Sequence, residues 1–426
     1  MKGKNSSTEY WVGVDWGDTS HAIAIVDGDR RKKQCFEVPH SVAGMEALSE
    51  KLAAFHPIRG IAIESSRNLV ITHLLDAGYV LYLVNPKLSA SWRKNDNVAG
   101  CKSDKRDGLV LARELSMRWE RLEAVRPEDP KVRELAMLCH DEQRLIGERT
   151  RHVQRLISTL KAYFPGALSF FDDWTSPAAW SWLKRYPTPE KFAKASEKQL
   201  HKFLREHRIG ISPAWQERVS NRASALGWAV DPAVRATSEL RVTTEIEQLE
   251  SIDKQLAVYR KRIGELFKDQ QDCPLFESLP GAGKKLAPRL FSMFGANRAR
   301  YDTIDAIRLL SGAAPVMKQS GNSNRVKMRH SCRKAWRNTL HLFADLSKKY
   351  CPWAKAFYEY RKARGDRHAE ALRKLADKWL KIIYRMWREQ QPYNEEIYME
   401  SLYKRKSPLL GYLPVDKSVE NVAKKA

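Results

Sequence analysis

Four carboxylates in the first quarter of the chain have the types and spacing for metal-assisted chemistry. Asp15 closes the apolar run Tyr10–Asp15 (YWVGVD), and Glu64 follows the run Gly60–Ile63 (GIAI). Asp104 and Asp107 stand three residues apart in Lys-Ser-Asp-Lys-Arg-Asp, so on a helix they share a face. Carboxylates from strand ends and a later helix can meet at one edge of a sheet. Left unneutralised they would repel one another, so the group calls for a hard cation. Mg2+ takes oxygen ligands and bridges phosphates, and paired ions about 3.5–4 Å apart stabilise both the attacking and the leaving oxygen. Each acid alone has a plainer reading: aspartate is a common turn residue, and Asp104 in a first helical turn is favoured by the dipole. Three such segments together favour the cluster.

To bring the four together, the head of the chain must fold as an α/β domain with a mixed sheet. YWVGVD and His21–Val26 (HAIAIV) flank a polar, glycine-containing turn and predict a hairpin. Cys35–Val38 adds a third strand, and Ser41–Phe55 a helix capped by Ser41. GIAI is a buried strand. Leu69–Leu75 is a helix stopped by Gly78, and Tyr79–Val84 a strand broken by Asn85-Pro86. Ser103–Trp119 then predicts a helix capped by Ser103. This domain spans residues 1–125, and Arg126–Pro130 is a linker.

Residues 131–270 carry two near-heptad seams, one through Leu135, Leu138, Leu145, Val153, Leu156 and Leu160, the other through Val242, Ile246, Leu249, Leu256 and Ile263. They predict a coiled-coil helical hairpin. Its insert, at about 165–235, holds Trp174, Trp180, Trp182, Trp215 and Trp228. The insert reads as a packed helical cap first and a base-stacking or protein-docking surface second. Residues 272–400 look mostly helical, and 408–426 a flexible tail.

The net charge of +24 is unevenly spread. Residues 1–125 hold 18 Lys and Arg against 16 Asp and Glu; residues 271–426 hold 32 against 15. The basic end suits a polyanion, since neutralising phosphates takes many cations. Six scattered cysteines without a CxxC pair argue for a reducing cytosol and against zinc. No membrane span or signal peptide is expected. Leu279-Pro280-Gly281-Ala282-Gly283 before a basic amphipathic helix has the form of a helix-hairpin-helix, with Gly281 and Gly283 letting backbone N–H groups near a phosphate and Lys284 and Lys285 beside them. It is not a Walker A loop. Gln319-Ser320-Gly321 reads as a polar loop among Lys318, Arg325, Lys327 and Arg329, followed by Arg333 and Arg337 as backbone contacts. Arg367, His368, Arg373 and Lys374 offer further contacts on a later helix. Lys102 and Lys105 flank the last acidic pair and either meet phosphates or are simply solvated. By pattern alone a serine in such a loop is ordinary.

The segments VGVDWGDTSHAIAIVD, IAIESS, YLVNP and KSDKRDGLVLA, with LLSGAAPVMKQSGNSNRVKMR near the other end, resemble the IS110 family of insertion-sequence transposases. That resemblance implies an RNase-H/RuvC-like DEDD domain whose four acids fall on Asp15, Glu64, Asp104 and Asp107, with Mg2+ or Mn2+ as cofactor. It implies a catalytic serine at Ser320, with Ser323 the nearby competitor and Ser311 a weaker one. It further implies a cytoplasmic, nucleoid-associated recombinase acting on donor and target DNA, guided by a structured bridge RNA, with dimers pairing into a tetramer. Two rivals stand beside it: a RuvC-like junction endonuclease in which water attacks, and a non-catalytic nucleic-acid-binding protein. The long Trp-rich insert departs from a simple hairpin.

Overall fold

Alternation along the first strand sets the layout of the head. In the computed structural model, which describes residues 9–64, 69–96, 104–125, 128–226, 231–320 and 323–413, Tyr10–Trp16 forms β1. Successive side chains point to opposite faces. Val12 and Val14 therefore join one buried cluster, while Trp11 joins another on the far side. The side chains of residues 95, 96, 104, 105, 318, 323 and 324 lie outside the description.

The chain divides into two compact units, Met1–Pro127 and Glu128–Ala426. In the first, β1 is followed by β2 (Ser20–Asp27), β3 (Lys32–Pro39), α1 (Val42–Ala53), β4 (Ile58–Ile63), α2 (Leu69–Asp76), β5 (Leu81–Leu83), α3 (Pro86–Asp96) and α4 (Asp104–Arg118). The sheet order is β3-β2-β1-β4-β5. The first three strands form an antiparallel meander, and β4 and β5 extend it in parallel with β1. This five-stranded mixed sheet is consistent with an RNase H-like domain. Ser41 caps α1 by accepting from Gly44 N at 3.1 Å, as its sequence position predicts.

Helix α3 is an element that the sequence reading passes over. Asn85-Pro86, expected to break a strand, instead starts a helix. Asn85 Oδ1 accepts from Lys87 N at 2.9 Å, and Pro86 takes the first helical position, where its missing N–H costs nothing. The strand before it is shorter than expected, Leu81–Leu83 rather than Tyr79–Val84. The Ser103 cap lies outside the described residues.

The second unit begins with α5 (Pro130–Tyr163) and returns along α11 (Pro232–Lys268), two long helices packed on each other. Arg149–Asp253 at 2.7 Å and His152–Glu245 at 2.6 Å pair across them. Between them α6 (Gly166–Phe170), α7 (Pro177–Arg185), α8 (Pro189–Ala193), α9 (Glu197–Glu206) and α10 (Pro213–Ser220) enclose an aromatic core at the hairpin's tip. Trp174, Trp180 and Trp182 are buried there and Trp215 packs against them, so these four serve packing. Trp228 lies outside the described residues.

The remaining body holds α12 (Cys273–Glu277), α13 (Gly283–Phe294), α14 (Ile304–Ser311), β6 (Val316–Ser320), β7 (Ser323–Lys327), α15 (Lys334–Tyr350), α16 (Pro352–Ala363), α17 (His368–Glu389) and α18 (Glu395–Lys404). The stretch from Pro408, expected to be loose, continues the fold to Leu413: Pro408–Tyr412 makes a 3-10 turn with Leu409 buried. At the hairpin's base, buried Glu142 of α5 takes Arg289 of α13 at 2.8 Å and Arg260 of α11 at 3.0 Å. Two guanidiniums on one carboxylate satisfy a charge that would be costly to bury alone. No helix among the described residues is long and apolar enough to cross a membrane.

Candidate active site

Strand alternation puts Asp15 on the face of β1 that carries Trp11 and Gly13. Gly13 lets α4 approach closely there. A Cβ built on Gly13 would fall 2.0 Å from the Gly108 carbonyl oxygen and 2.6 Å from Ala112 N. The absence of side-chain bulk at Gly13 and Gly108 thus seats α4 on the sheet, which brings Asp107 to the end of β1. Asp15 pairs with Ala22, and Ala22 with Glu37, so both acids stand on one line across β1, β2 and β3. In the parallel pair Val14 lies beside Ile63, and Glu64 follows at the end of β4.

These elements enclose a cavity of about 350 Å³ lined by Asp15, Ser20, Glu37, Glu64, Arg93 and Asp107. Three of the four expected acids therefore reach one place. Asp104 opens α4 one turn before Asp107, and its side chain, like those of Lys102 and Lys105, lies outside the described residues. Arg93 Nη1 sits 3.2 Å from Glu64 Oε2 and 3.2 Å from Asp107 Oδ2. Ser89 Oγ donates to the same Glu64 oxygen at 2.6 Å. Among the described residues no three His, Cys, Asp or Glu side chains stand grouped closely enough to hold a metal ion. The donors are nonetheless all carboxylate oxygens, the kind that suits a hard divalent cation.

Sequence reasoning missed Glu37, Ser89 and Arg93. Glu37 was legible only through register, because its place depends on which residue of β2 it faces. Arg93 and Ser89 follow from α3, which the Asn85-Pro86 cap could have revealed.

Behind the site, buried His21 shares a 2.9 Å hydrogen bond with His40, and its Nδ1 faces Gly17 N at 3.4 Å. Burial, followed by the neighbouring His40, lowers the His21 pKa from its ordinary value, so at neutral pH the ring is uncharged. The pair braces the Gly17–Ser20 turn that forms one wall of the cavity.

In the second unit Gln319 and Ser320, expected in a loop, instead close strand β6. Strands β6 and β7 pair antiparallel, with Ser320 opposite Ser323 as the last pair and Lys318 opposite Arg325. Ser320 is exposed, and the register puts it on the ribbon face of Arg325 and Lys327, both exposed. Gly321 and the side chains of Lys318 and Ser323 lie outside the description. Ser311 is buried, with its hydroxyl turned to Arg308 O at 3.3 Å, so it is spent on the end of α14. Arg329 donates to Ala314 O at 3.3 Å, Arg337 to Cys332 Sγ at 2.6 Å, and Arg333 lies over the Trp336 ring at 4.6 Å. These three cations thus have partners within the chain.

At the expected helix-hairpin-helix, α12 has five residues and leads through Gly281 and Gly283, both at positive φ, into α13. A Cβ on Gly281 would meet Tyr350 Cδ2 at 2.9 Å and the Leu346 carbonyl at 3.3 Å, so this glycine seats the turn on α15. Gly283, with nothing near it, answers to its backbone conformation alone. Lys284 and Lys285 are exposed. On α17, Lys374 instead pairs with Asp366 at 2.8 Å and His368 with Tyr358 at 2.8 Å.

Comparison with known proteins gives two family models of one lineage. A transposase model, the DEDD domain of the IS110 type, matches residues 12–165, and a model described as transposase IS116/IS110/IS902 family matches residues 273–359. A Streptomyces coelicolor relative, named as a mini-circle transposase for IS117, is 27% identical over 407 residues, 92% of this chain and 96% of the relative. The IS110 insertion-element protein of the same organism is 25% identical over 390 residues, 89% of this chain and 94% of that protein. A Sinorhizobium fredii relative named as transposase y4uE is 32% identical over 215 residues, 49% of this chain and 59% of the relative.

Proposed function

Since the chain belongs to the IS110 family of insertion-sequence transposases, we propose that this DNA transposase cuts and rejoins DNA with Ser320 as nucleophile and the acidic cavity of its first unit as the phosphate-activating centre. The observation that carries the reading is the convergence of Asp15, Glu64 and Asp107 on one cavity from two strand ends and a helix. With Asp104 completing the set, these residues would hold a divalent cation, Mg2+ or Mn2+, which supplies charge neutralisation for the phosphate.

The chain's own residues do the rest. A serine hydroxyl is a poor nucleophile until its proton is removed, so Ser320 needs a base to accept it. As the Oγ–P bond forms, one bridging P–O bond breaks, and the departing deoxyribose oxygen takes up a proton. Arg325 and Lys327 share the face of Ser320 and offset charge on the phosphorane-like transition state. Rejoining reverses the step with a new strand's hydroxyl. Donor and target DNA, a structured bridge RNA, a dimer that pairs into a tetramer and a cytoplasmic, nucleoid-associated site of action complete the proposal. The basic C-terminal region supports the nucleic-acid partners.

The test is trapping. Wild-type protein with its element's DNA should give a protein–DNA adduct that survives denaturation, lost in Ser320→Ala and strongly reduced in Glu64→Gln. Cation-dependent cleavage persisting in Ser320→Ala without any adduct would instead establish water as the nucleophile, as in a junction endonuclease. Recombination untouched by Asp15→Ala and Glu64→Ala would leave a non-catalytic binding protein. Sequencing RNA that copurifies with the protein tests the guide: a discrete structured species is expected, and its absence removes that part.

A further inference from the structure

Arg93 stands where a bound cation would neutralise charge. One guanidinium nitrogen, Nη1, lies 3.2 Å from both Glu64 Oε2 and Asp107 Oδ2, joining the end of β4 to α4. The carboxylates are the enclosed partners, with side chains 17% and 8% exposed, while that of Arg93 is 31% exposed. The arginine therefore has an open side towards which it can move. Ser89, one turn earlier on α3, donates to the same Glu64 oxygen at 2.6 Å and also lies 3.1 Å from Pro86 O. Its hydroxyl can keep an acceptor on its own helix if Glu64 is drawn elsewhere.

An arginine does not lose its proton at cellular pH, so it can leave the two acids only by moving. A divalent ion seeking the same oxygens carries charge of the same sign. Binding one must weaken the other, and by linkage the effect is mutual. Once displaced, a guanidinium presents a planar fork of donors that matches phosphate oxygens, and this one already borders the cavity.

We propose that Arg93 is a built-in placeholder for the cation. It holds Glu64 and Asp107 together in the cation-free protein, yields when the ion binds, and then takes the phosphate of the nucleic acid entering the cavity. The proposal rests on the reading of Glu64 and Asp107 as cation ligands. It makes Arg93 a positioning residue before exchange and a phosphate ligand after it.

Mn2+ titrated calorimetrically into the full-length protein tests this in wild type, Arg93→Gln, Arg93→Lys and Glu64→Gln, each also melted with and without Mn2+. Arg93→Gln should bind Mn2+ roughly fivefold or more tightly than wild type. It should melt lower without the ion and recover the difference as Mn2+ is added. Arg93→Lys, which keeps the charge, should lie between and guards against a simple folding defect. A merely structural arginine would lower the melting point without tightening Mn2+. Equal or weaker Mn2+ binding by Arg93→Gln, with binding lost in Glu64→Gln, overturns the placeholder and leaves the cation reading intact. No Mn2+ binding by wild type, or full binding by Glu64→Gln, overturns the cation reading and the placeholder together. At saturating Mn2+, Arg93→Gln should cleave DNA more slowly than wild type; an unchanged rate overturns the phosphate-ligand half.

Discussion

At Gly13 a single missing side chain decides whether an acid reaches the site. Adding a methyl there places carbon 2.0 Å from the Gly108 carbonyl, and backbone on both sides leaves no flexible atom to give way. Gly13→Ala should therefore cost about 1–3 kcal/mol or more in urea denaturation, as overpacked sites do, and should abolish cleavage by lifting α4 and Asp107 from β1. A normal denaturation midpoint in Gly13→Ala would refute this account of how α4 is seated. A second residue-scale prediction concerns acid. Burial, then the charges of Arg337 and Arg373, hold the His341 pKa below its ordinary value of 6.5. The folded state thus disfavours the protonated ring. His341 costs nothing above pH 6.5, and stability drains away as pH falls from there towards the lowered value. Denaturation midpoints at pH 7.5 and 5 should differ less in His341→Gln than in wild type; identical differences would show that the ring is not the titrating group. Asp15, Glu64 and Asp107, which line one cavity, were legible as residue types and spacings in the sequence. Glu37 and Arg93 were not, because their places depend on strand register and on a helix that a two-residue signal begins.

Among the elements, α3 was the one most easily lost in reading and the one that most directly dresses the site. Its start depends on Asn85, and Asn85→Ala should destabilise the protein by about 1 kcal/mol, the usual value of such a cap. Cleavage should fall as well, because Ser89 and Arg93 ride on that helix. Full activity with the cap removed would show that α3 is held by other contacts. The turn before α13 offers a contrast between glycines and lysines. Gly281 packs on α15, so Gly281→Ala should lower stability while leaving the salt dependence of DNA binding unchanged. Replacing Lys284 and Lys285 by alanine should do the reverse, lowering the slope of log affinity against log salt by roughly 1 for each phosphate that is no longer neutralised. The sequence pattern found the helices and the basic face here. It did not show that a glycine positioned to approach phosphate is filled by Tyr350, since the two positions are far apart in the chain. Similarly, the ribbon of β6 and β7 read as a loop because its strands are five residues each and too polar to show strong alternation.

On the scale of the whole molecule, the two units have separate cores, with clusters in the first around the sheet and in the second around the C-terminal body and the hairpin's tip. A ligand held by Asp15, Glu64 and Asp107 should therefore protect the first unit alone. Mn2+ at about 100 times its dissociation constant should add about 2.7 kcal/mol to that unit's stability. Segment-resolved hydrogen exchange should show this in β1, β4 and α4 and not in α13 or α15. Equal protection of both units would place the cation elsewhere. The charge imbalance was plain in the sequence, since it is a sum over many residues. The packing of the tryptophan-bearing insert was foreseen from its composition, and its five short helices were not. The hairpin that carries this insert has one more consequence. Its α5 runs 34 residues, about 51 Å at 1.5 Å per residue, from Val132 and Leu135 in the core of the C-terminal body at one end to the aromatic cap at the other. Locked at both extremities, it is a ruler: excising one heptad from α5 and its match from α11 would draw the cap inward by about 10 Å, roughly three base steps of duplex, while keeping the seam in phase. Any geometry that the tip imposes on its surroundings is thus written in helix length, in whole-heptad increments.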